Sequence, residues 1–160
     1  MKTKSLFLLR HAKASAGGML ISDEDRLLSD RGVRDAKKLA NKLFKKSTSF
    51  DLILTSPTIR TITTAQLMAN RLGYKQKFIV VDKHIYEADA EALLSVISGV
   101  PKKVDLLMLV GHNPSISNLA FYLAGEPVSM PTCALTEFVF EMKAWAEVTT
   151  IKPFKLNFLN

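Results

Sequence analysis

Four basic or titratable side chains stand where apolar runs of this sequence break off. Arg10-His11 closes the run 6–9, Arg60 follows 50–54 through Thr55-Ser56-Pro57, and His112 follows 104–110 through Gly111. A pair of guanidiniums offers planar, bidentate donors matched to phosphate oxygens. A histidine can attack phosphorus when its other ring nitrogen is held by a hydrogen bond, and a second, protonated histidine adds a charge-assisted donor to a non-bridging oxygen. Together they would stabilise a transferring phosphoryl group by preorganised electrostatics. Each residue also has a plainer reading: a strand end meeting water for Arg10 and His11, a capped turn for His112. Arg60 is harder to read as structural, because a cation in the first turn of a helix opposes the dipole unless an anion faces it.

The elements around these residues decide whether they can meet. The runs 6–9, 50–54, 78–81 and 104–110 have the continuous apolar character of strands covered on both faces. After Gly32, the residues Val33, Ala36, Leu39, Ala40, Leu43 and Phe44 recur at helical spacing, with Lys37, Lys38, Lys42, Lys45 and Lys46 on the opposite face. Ser56 as cap and Pro57 in the first turn open a helix that runs to about Leu72 and stops at Gly73. A short helix is expected over 88–97. Asn113 as cap and Pro114 open another, with Ile116, Leu119, Ala120 and Leu123 on one face and Gly125 at its end. The stretches 134–142 and 146–153 read as a hairpin or edge pair, with Trp145 covering the sheet edge. The order β-α-β-α-β-α-β-α-β-β predicts an α/β fold, a three-layer α/β/α sandwich with a mostly parallel sheet and an antiparallel edge strand. Ligands of such sheets bind outside the carboxyl ends of the strands, which brings Arg10, His11, Arg60 and His112 to one edge. With Ser56 as cap, Arg60 is the fourth helical residue and its side chain tilts back toward that edge.

The chain has 160 residues, 48% of them apolar, at a mean hydropathy of +0.11, enough for one ordinary core, so residues 1–160 are expected to form a single domain. Its net charge of +7 lies wholly in residues 1–50, which hold 12 basic and 5 acidic side chains. That basic first third could alternatively make the chain a nucleic-acid-binding module, whose affinity would fall steeply with salt and be insensitive to His11, but it lacks aromatic interleaving and any recognition motif, so no nucleic-acid partner is expected. No apolar run approaches the roughly 18 residues of a membrane span. The N-terminus resembles a signal peptide only until Arg10 and His11 interrupt it. A lone cysteine, Cys133, makes no intramolecular disulfide and is expected to be packed rather than reactive; the cytoplasm is the default location.

Arg10-His11-Ala12-Lys13, Arg26-Leu27-Leu28-Ser29-Asp30-Arg31-Gly32, Thr55-Ser56-Pro57-Thr58-Ile59-Arg60 and Gly111-His112-Asn113-Pro114 occur in the order of four motifs. The set resembles the histidine phosphatase superfamily, formerly the phosphoglycerate-mutase-like group, and within it the short SixA-type phosphohistidine phosphatases. The resemblance spans residues 6–125. It implies that His11 is the nucleophile and is transiently phosphorylated, that Arg10 and Arg60 bind the phosphoryl oxygens, and that His112 is the pocket's second histidine. It further implies Arg26 as an additional substrate-binding arginine, no metal and no cofactor, and phosphate, sulfate or tungstate as pocket ligands. The expected substrate is phosphohistidine on a protein or, alternatively, a small phosphate ester; a phosphate-binding pseudoenzyme would bind the same anions without turnover.

Two departures from the family pattern carry expectations of their own. Ala12 replaces the usual glycine, so an ordinary backbone is expected there. The acidic proton donor of larger relatives has only Glu87, with Asp89 behind it, as a candidate. Imidazole leaving phosphohistidine can take its proton from solvent on the far nitrogen, whereas an alkoxide needs an acid, so a weak donor suits P–N cleavage. His84 is read as a loop histidine without a role. A zinc site from His11, His84 and His112 lacks the usual spacing and sits among arginines that would repel a cation.

Overall fold

Alternation along the first strand sets the layering. In the computed structural model, which describes residues 2–160, β1 (Thr3–Arg10) sends Leu6 and Leu8 into one apolar cluster and Phe7 and Leu9 into another. The first cluster holds α3 (Ala90–Ser98) and α4 (Ser115–Ala124); the second holds α1 (Asp30–Lys45) and α2 (Ile59–Leu72). Helices therefore cover both faces, which is why the strands read as unbroken apolar runs. Among the described residues one sheet has the order β3-β2-β4-β1-β5-β6. β2 (Leu52–Thr55), β3 (Val80–Val81) and β4 (Leu106–Gly111) run parallel with β1, while β5 (Leu135–Glu141) is antiparallel to β1 and β6 (Lys155–Phe158), antiparallel to β5, runs in the direction of β1 again. This is the expected α/β/α sandwich, except that the one strand running against the others, β5, is not at the edge, because β6 pairs outside it. No described helix is long and apolar enough to cross a membrane.

Several boundaries differ from expectation. α1 begins three residues before Val33, because Ser29 caps it by accepting from the Gly32 N–H at 3.0 Å. Phe44 lies half exposed under the Arg71 guanidinium, 3.5 Å from the ring centroid, instead of on the buried face. α2 is capped by Thr58, not Ser56, so Arg60 is its second residue and not its fourth. α4 begins after a cis Asn113–Pro114 bond; the Asn113 side chain accepts from the Ser117 N–H and hydroxyl further along the helix. Gly73 and Gly125 end α2 and α4 in the left-handed region, as expected of C-terminal glycines. Over 146–153 no strand forms. Trp145 and Val148, three apart and both buried, instead mark a 3-10 turn (Trp145–Thr149), closed by Glu147 accepting from the Lys143 and Ala144 N–H groups at 2.8 Å each. Trp145 is core and not an edge cover, and its indole N–H donates to the Val104 carbonyl at 2.7 Å.

α1 is tied to the strand exit that carries Arg10 and His11. The Ser29 hydroxyl and N–H both donate to the Lys13 carbonyl, at 3.0 and 2.9 Å, and Gly32 lies so close that a Cβ there would drive into the same carbonyl. Gly32→Ala should therefore cost about 1–3 kcal/mol of stability through overpacking, read as a lowered urea midpoint with an unchanged slope.

Candidate active site

Strand register builds the site. Arg10 pairs with Gly111 across β1 and β4, and Thr55 pairs with Val110 across β2 and β4. The residues that follow these three strand ends therefore leave the sheet side by side. The His11 N–H donates to the Gly111 carbonyl at 3.1 Å, the Ser56 N–H donates to the Val110 carbonyl at 3.2 Å, and the His11 and His112 rings stand 5.3 Å apart. Arg60 reaches the same place from the first turn of α2, where the helix dipole favours an anion.

His11 is 8% exposed, and its Nδ1 lies 2.7 Å from the Ala12 carbonyl. A carbonyl only accepts, so Nδ1 carries the proton and Nε2 keeps its lone pair. Burial, opposed in part by that hydrogen bond and reinforced by the charges of Arg60, Arg10 and Arg26, lowers the His11 pKa to about 4. The neutral, nucleophilic form thus prevails near neutrality. Ala12 has an ordinary backbone, as expected, and its N–H donates to the Thr64 hydroxyl at 3.1 Å.

His112 is oriented from both ring nitrogens. Nε2 pairs with the Ser56 hydroxyl at 2.8 Å, and Nδ1 faces the Arg60 Nη2 at 3.4 Å. A guanidinium only donates, so Nδ1 is the acceptor and the neutral ring carries its proton on Nε2. Burial and then the Arg60 charge lower the His112 pKa to about 3. Ser56, expected as a helix cap, is instead the residue that fixes this ring. Tyr86 meets His112 edge-on, 5.7 Å between centroids.

Arg60 is 6% exposed and Arg10 half-buried; the Nε of each is buried without a hydrogen-bond partner among the described residues. Arg10 otherwise donates to the Met130 carbonyl at 3.3 Å. Both terminal nitrogens of Arg60 go to one residue, Nη1 to the Asp23 carbonyl at 2.6 Å and Nη2 to the Asp23 carboxylate at 3.0 Å. That carboxylate also accepts from the Tyr86 hydroxyl at 2.9 Å and from Arg26 at 3.3 Å. The hydrogen bonds from Arg60 and Tyr86 lower the Asp23 pKa to about 2, and the bond to Asp23 pushes the Tyr86 phenol up to about 12. Arg26 stands one carboxylate away from Arg60, its Nε on the Ser15 carbonyl at 3.3 Å.

The other candidates lie elsewhere. Glu87 is exposed, with a left-handed backbone at φ 55°, and its side chain makes no hydrogen bond or ion pair among the described residues. His84 is exposed and pairs with Asp82 at 2.8 Å. Cys133, at φ 63°, supports the site through its backbone: its N–H is shared between the Arg10 and His11 carbonyls at 3.1 and 3.0 Å. Burial pushes its thiol up to about 12, which makes it unreactive. Among the described residues no three His, Cys, Asp or Glu side chains gather as a metal centre would need.

The two depressed histidines set a pH dependence of stability. Their ordinary value is 6.5 and their folded values are about 4 and 3, so the unfolded chain binds protons first as pH falls. Their contribution is fully present above pH 6.5 and is lost as pH falls through about 4 and 3, where the loss of the Asp23 contribution joins it. The thermal midpoint of the ligand-free protein should fall through that window, and a His11→Asn/His112→Gln variant should show a flatter profile.

The chain matches the model of the histidine phosphatase superfamily (branch 1) over residues 6–94. An uncharacterized chloroplastic protein of Arabidopsis thaliana is 30% identical over 139 residues, 82% of this chain and 64% of the relative, so the chain spans somewhat less than two thirds of that relative's length. A protein of Agrobacterium tumefaciens with a provisional assignment as the phosphohistidine phosphatase SixA superposes with a TM-score of 0.79 at 28% identity, covering 96% of this chain and 97% of the other. A SixA protein histidine phosphatase complexed with tungstate shares the fold at TM-score 0.78 and 18% identity, over 96% and 93% of the chains. So does a mycobacterial glucosyl-3-phosphoglycerate phosphatase, at TM-score 0.69 and 17% identity over 98% of each. With more than half its length matched by the family model and its fold matched from end to end, this chain belongs to the histidine phosphatase superfamily and is similar to its SixA-type members.

Proposed function

We propose that the protein is a metal-independent phosphohydrolase that works through a covalent phosphohistidine on His11 and acts on phosphohistidine carried by a protein. The observation that carries this reading is the His11 ring. Its Nδ1–H is spent on the Ala12 carbonyl, its Nε2 is unprotonated, and it sits with His112 beside two arginines whose buried Nε–H groups have no acceptor among the described residues. A buried donor left unpaired costs about 1–3 kcal/mol, and a phosphoryl oxygen would satisfy it. Nε2 attacks phosphorus as the bond to the leaving nitrogen breaks, and that imidazole gains a proton from solvent. Water then attacks the phosphorus on His11, and the P–Nε2 bond breaks to give orthophosphate and neutral His11. Arg10 and Arg60 would hold the oxygens in both steps, joined by His112 once the incoming phosphoryl charge draws a proton onto its Nδ1, with Arg26 supplying positive charge from behind Asp23.

Two features support P–N over P–O cleavage. Asp23, the carboxylate beside Arg60, has a pKa of about 2 and is no acid near neutrality, while Glu87 is exposed and makes no bond into the pocket. An alkoxide leaving group would lack a good donor; imidazole does not need one. The loop that carries Asp23 also holds Met19 and Leu20 at full exposure. A protein surface would cover such side chains and a small ester would not. The last lysines of α1 stand too far off to hold a phosphoprotein at the site. The helix starts beside Lys13 and spans 16 residues, so Lys45 and Lys46 lie about 22 Å along its axis from the site edge.

Rates on a phosphohistidine protein and on an aryl phosphate, for wild type, His11→Ala and Glu87→Gln, test the reading. Efficient cleavage of the protein substrate that survives Glu87→Gln and chelator is expected. Preference for the ester together with strong dependence on Glu87 would support the small-ester alternative, and anion binding without turnover would mark a pseudoenzyme. Met19→Ser/Leu20→Ser should raise KM for the phosphoprotein about tenfold, in line with the burial of two large apolar side chains, and leave the aryl phosphate KM unchanged.

A further inference from the structure

The chain carries an anion of its own against the arginine proposed to bind phosphoryl oxygens. Asp23 engages both terminal nitrogens of Arg60, one through its main-chain carbonyl at 2.6 Å and one through Oδ2 at 3.0 Å, and the same carboxylate accepts from Tyr86 at 2.9 Å and Arg26 at 3.3 Å. Only Nε of Arg60 remains unpartnered. A guanidinium grips an oxyanion bidentately along its end or along its Nε side, and either edge includes at least one terminal nitrogen. A bidentate ligand on the terminal edge of Arg60 must therefore displace Asp23, and one on the Nε edge must share Nη2 with the Asp23 carboxylate.

We propose that Asp23 is a specificity-determining residue, an intramolecular competitor for Arg60 that a phosphoryl dianion displaces and a monoanion such as a carboxylate does not. The inference rests on the phosphoryl site proposed above. Its first support is tethering. The loop bearing Asp23 is pinned at its base by the Ala14–Leu28 bridge and by the Ser15 N–H on the Leu27 carbonyl at 2.8 Å, so the carboxylate meets Arg60 at an effective concentration of the order of millimolar or more. A free or protein-borne carboxylate offers the same charge and the same geometry without the tether, and loses. A phosphoryl dianion offers more charge and a third oxygen, and it also meets the unpartnered Nε of Arg10 and the neighbouring His112. The second support is that Arg60 does not depend on the carboxylate for its place. It is fixed by the first turn of α2 and by the Asp23 main-chain carbonyl, neither of which a side-chain change removes. On a protein surface rich in Asp and Glu, such a competitor keeps unphosphorylated side chains out of the pocket and favours release of orthophosphate.

Asp23→Asn keeps size and the main-chain contact while removing the charge; Asp23→Glu keeps the charge. Calorimetric titration of the His11→Ala protein with orthophosphate and with acetate reads binding without turnover. Asp23→Asn should tighten orthophosphate roughly tenfold or more, the lower range of a neighbouring charge's effect, and should bring acetate binding into range, while Asp23→Glu should preserve the wild-type discrimination. Unchanged affinities, or weaker orthophosphate binding in Asp23→Asn restored by Asp23→Glu, would overturn the proposal, the latter making Asp23 a positioning residue for Arg60. Absence of phosphohistidine-protein turnover by the wild-type protein would instead sink the proposed function while leaving the binding comparison readable.

Discussion

His11→Ala is expected to lower turnover of both phosphohistidine protein and aryl phosphate by roughly 10⁴-fold or more, the scale of loss on removing a covalent nucleophile. No other described side chain can substitute for it. His112 stands 5.3 Å away between ring centroids, but its Nε2 is committed to Ser56 and its Nδ1 faces Arg60. Water entering the space left by the ring would meet the same arginines without a base to activate it, since Asp23 is paired with Arg60 and has a pKa of about 2. Rapid acid-free quenching of wild type with a labelled aryl phosphate should trap a protein-bound phosphate that is acid-labile and base-stable, as a P–N bond is. His11→Ala should trap none. Trapping at another residue, or full activity without His11, would end the mechanism.

The strand ends were legible because parallel register is a local matter of apolar runs and the residue that follows each. Leu6–Leu9 identifies a doubly covered strand, so Arg10 and His11 emerge at its carboxyl end, and the same logic places His112 beside them; the Arg10–Gly111 pairing realises this. What stayed hidden depends on partners distant in sequence. Asp23 lies 37 residues from Arg60 and 63 from Tyr86, and Ser56 lies 56 from His112. Local pattern makes Ser56 a cap and leaves Asp23 unmarked, since nothing nearby announces that a buried guanidinium and an imidazole need them. The one available signal was chemical: a buried arginine in a first helical turn demands an anion, and the acidic loop 23–25 supplies one. Over 146–153 a period of two was read where Trp145 and Val148 follow a period of three, and the sheet edge moved to β6. The excess charge of residues 1–50 likewise divided on folding. Arg10 and Arg26 went to the site, and the last lysines of α1 to the far end of the helix.

Arg60→Lys should lower kcat/KM by roughly 10²- to 10³-fold, the scale for removing one preorganised donor from a transition state, with little loss of stability. Charge is conserved in this variant, so the effect isolates geometry. The guanidinium presents Nε, buried and unpartnered, together with terminal nitrogens that bond Asp23 and face His112. An ammonium on a flexible stem can pair with Asp23 but cannot meet phosphoryl oxygens and the carboxylate from one rigid plane. Asp23 keeps its hydrogen bonds to Tyr86 and Arg26, and it is half exposed, so no stranded buried charge penalises the fold. The deficit should fall mainly on kcat, because charge spreads over the equatorial oxygens in the transition state and an off-plane donor follows it poorly. Stopped-flow measurement of the phosphoenzyme burst should show slowed phosphorylation of His11 with a nearly unchanged dissociation constant for the aryl phosphate. A burst at the wild-type rate with a raised dissociation constant would reduce Arg60 to a ground-state anchor, and would leave Arg10 and His112 as the groups that follow the developing charge.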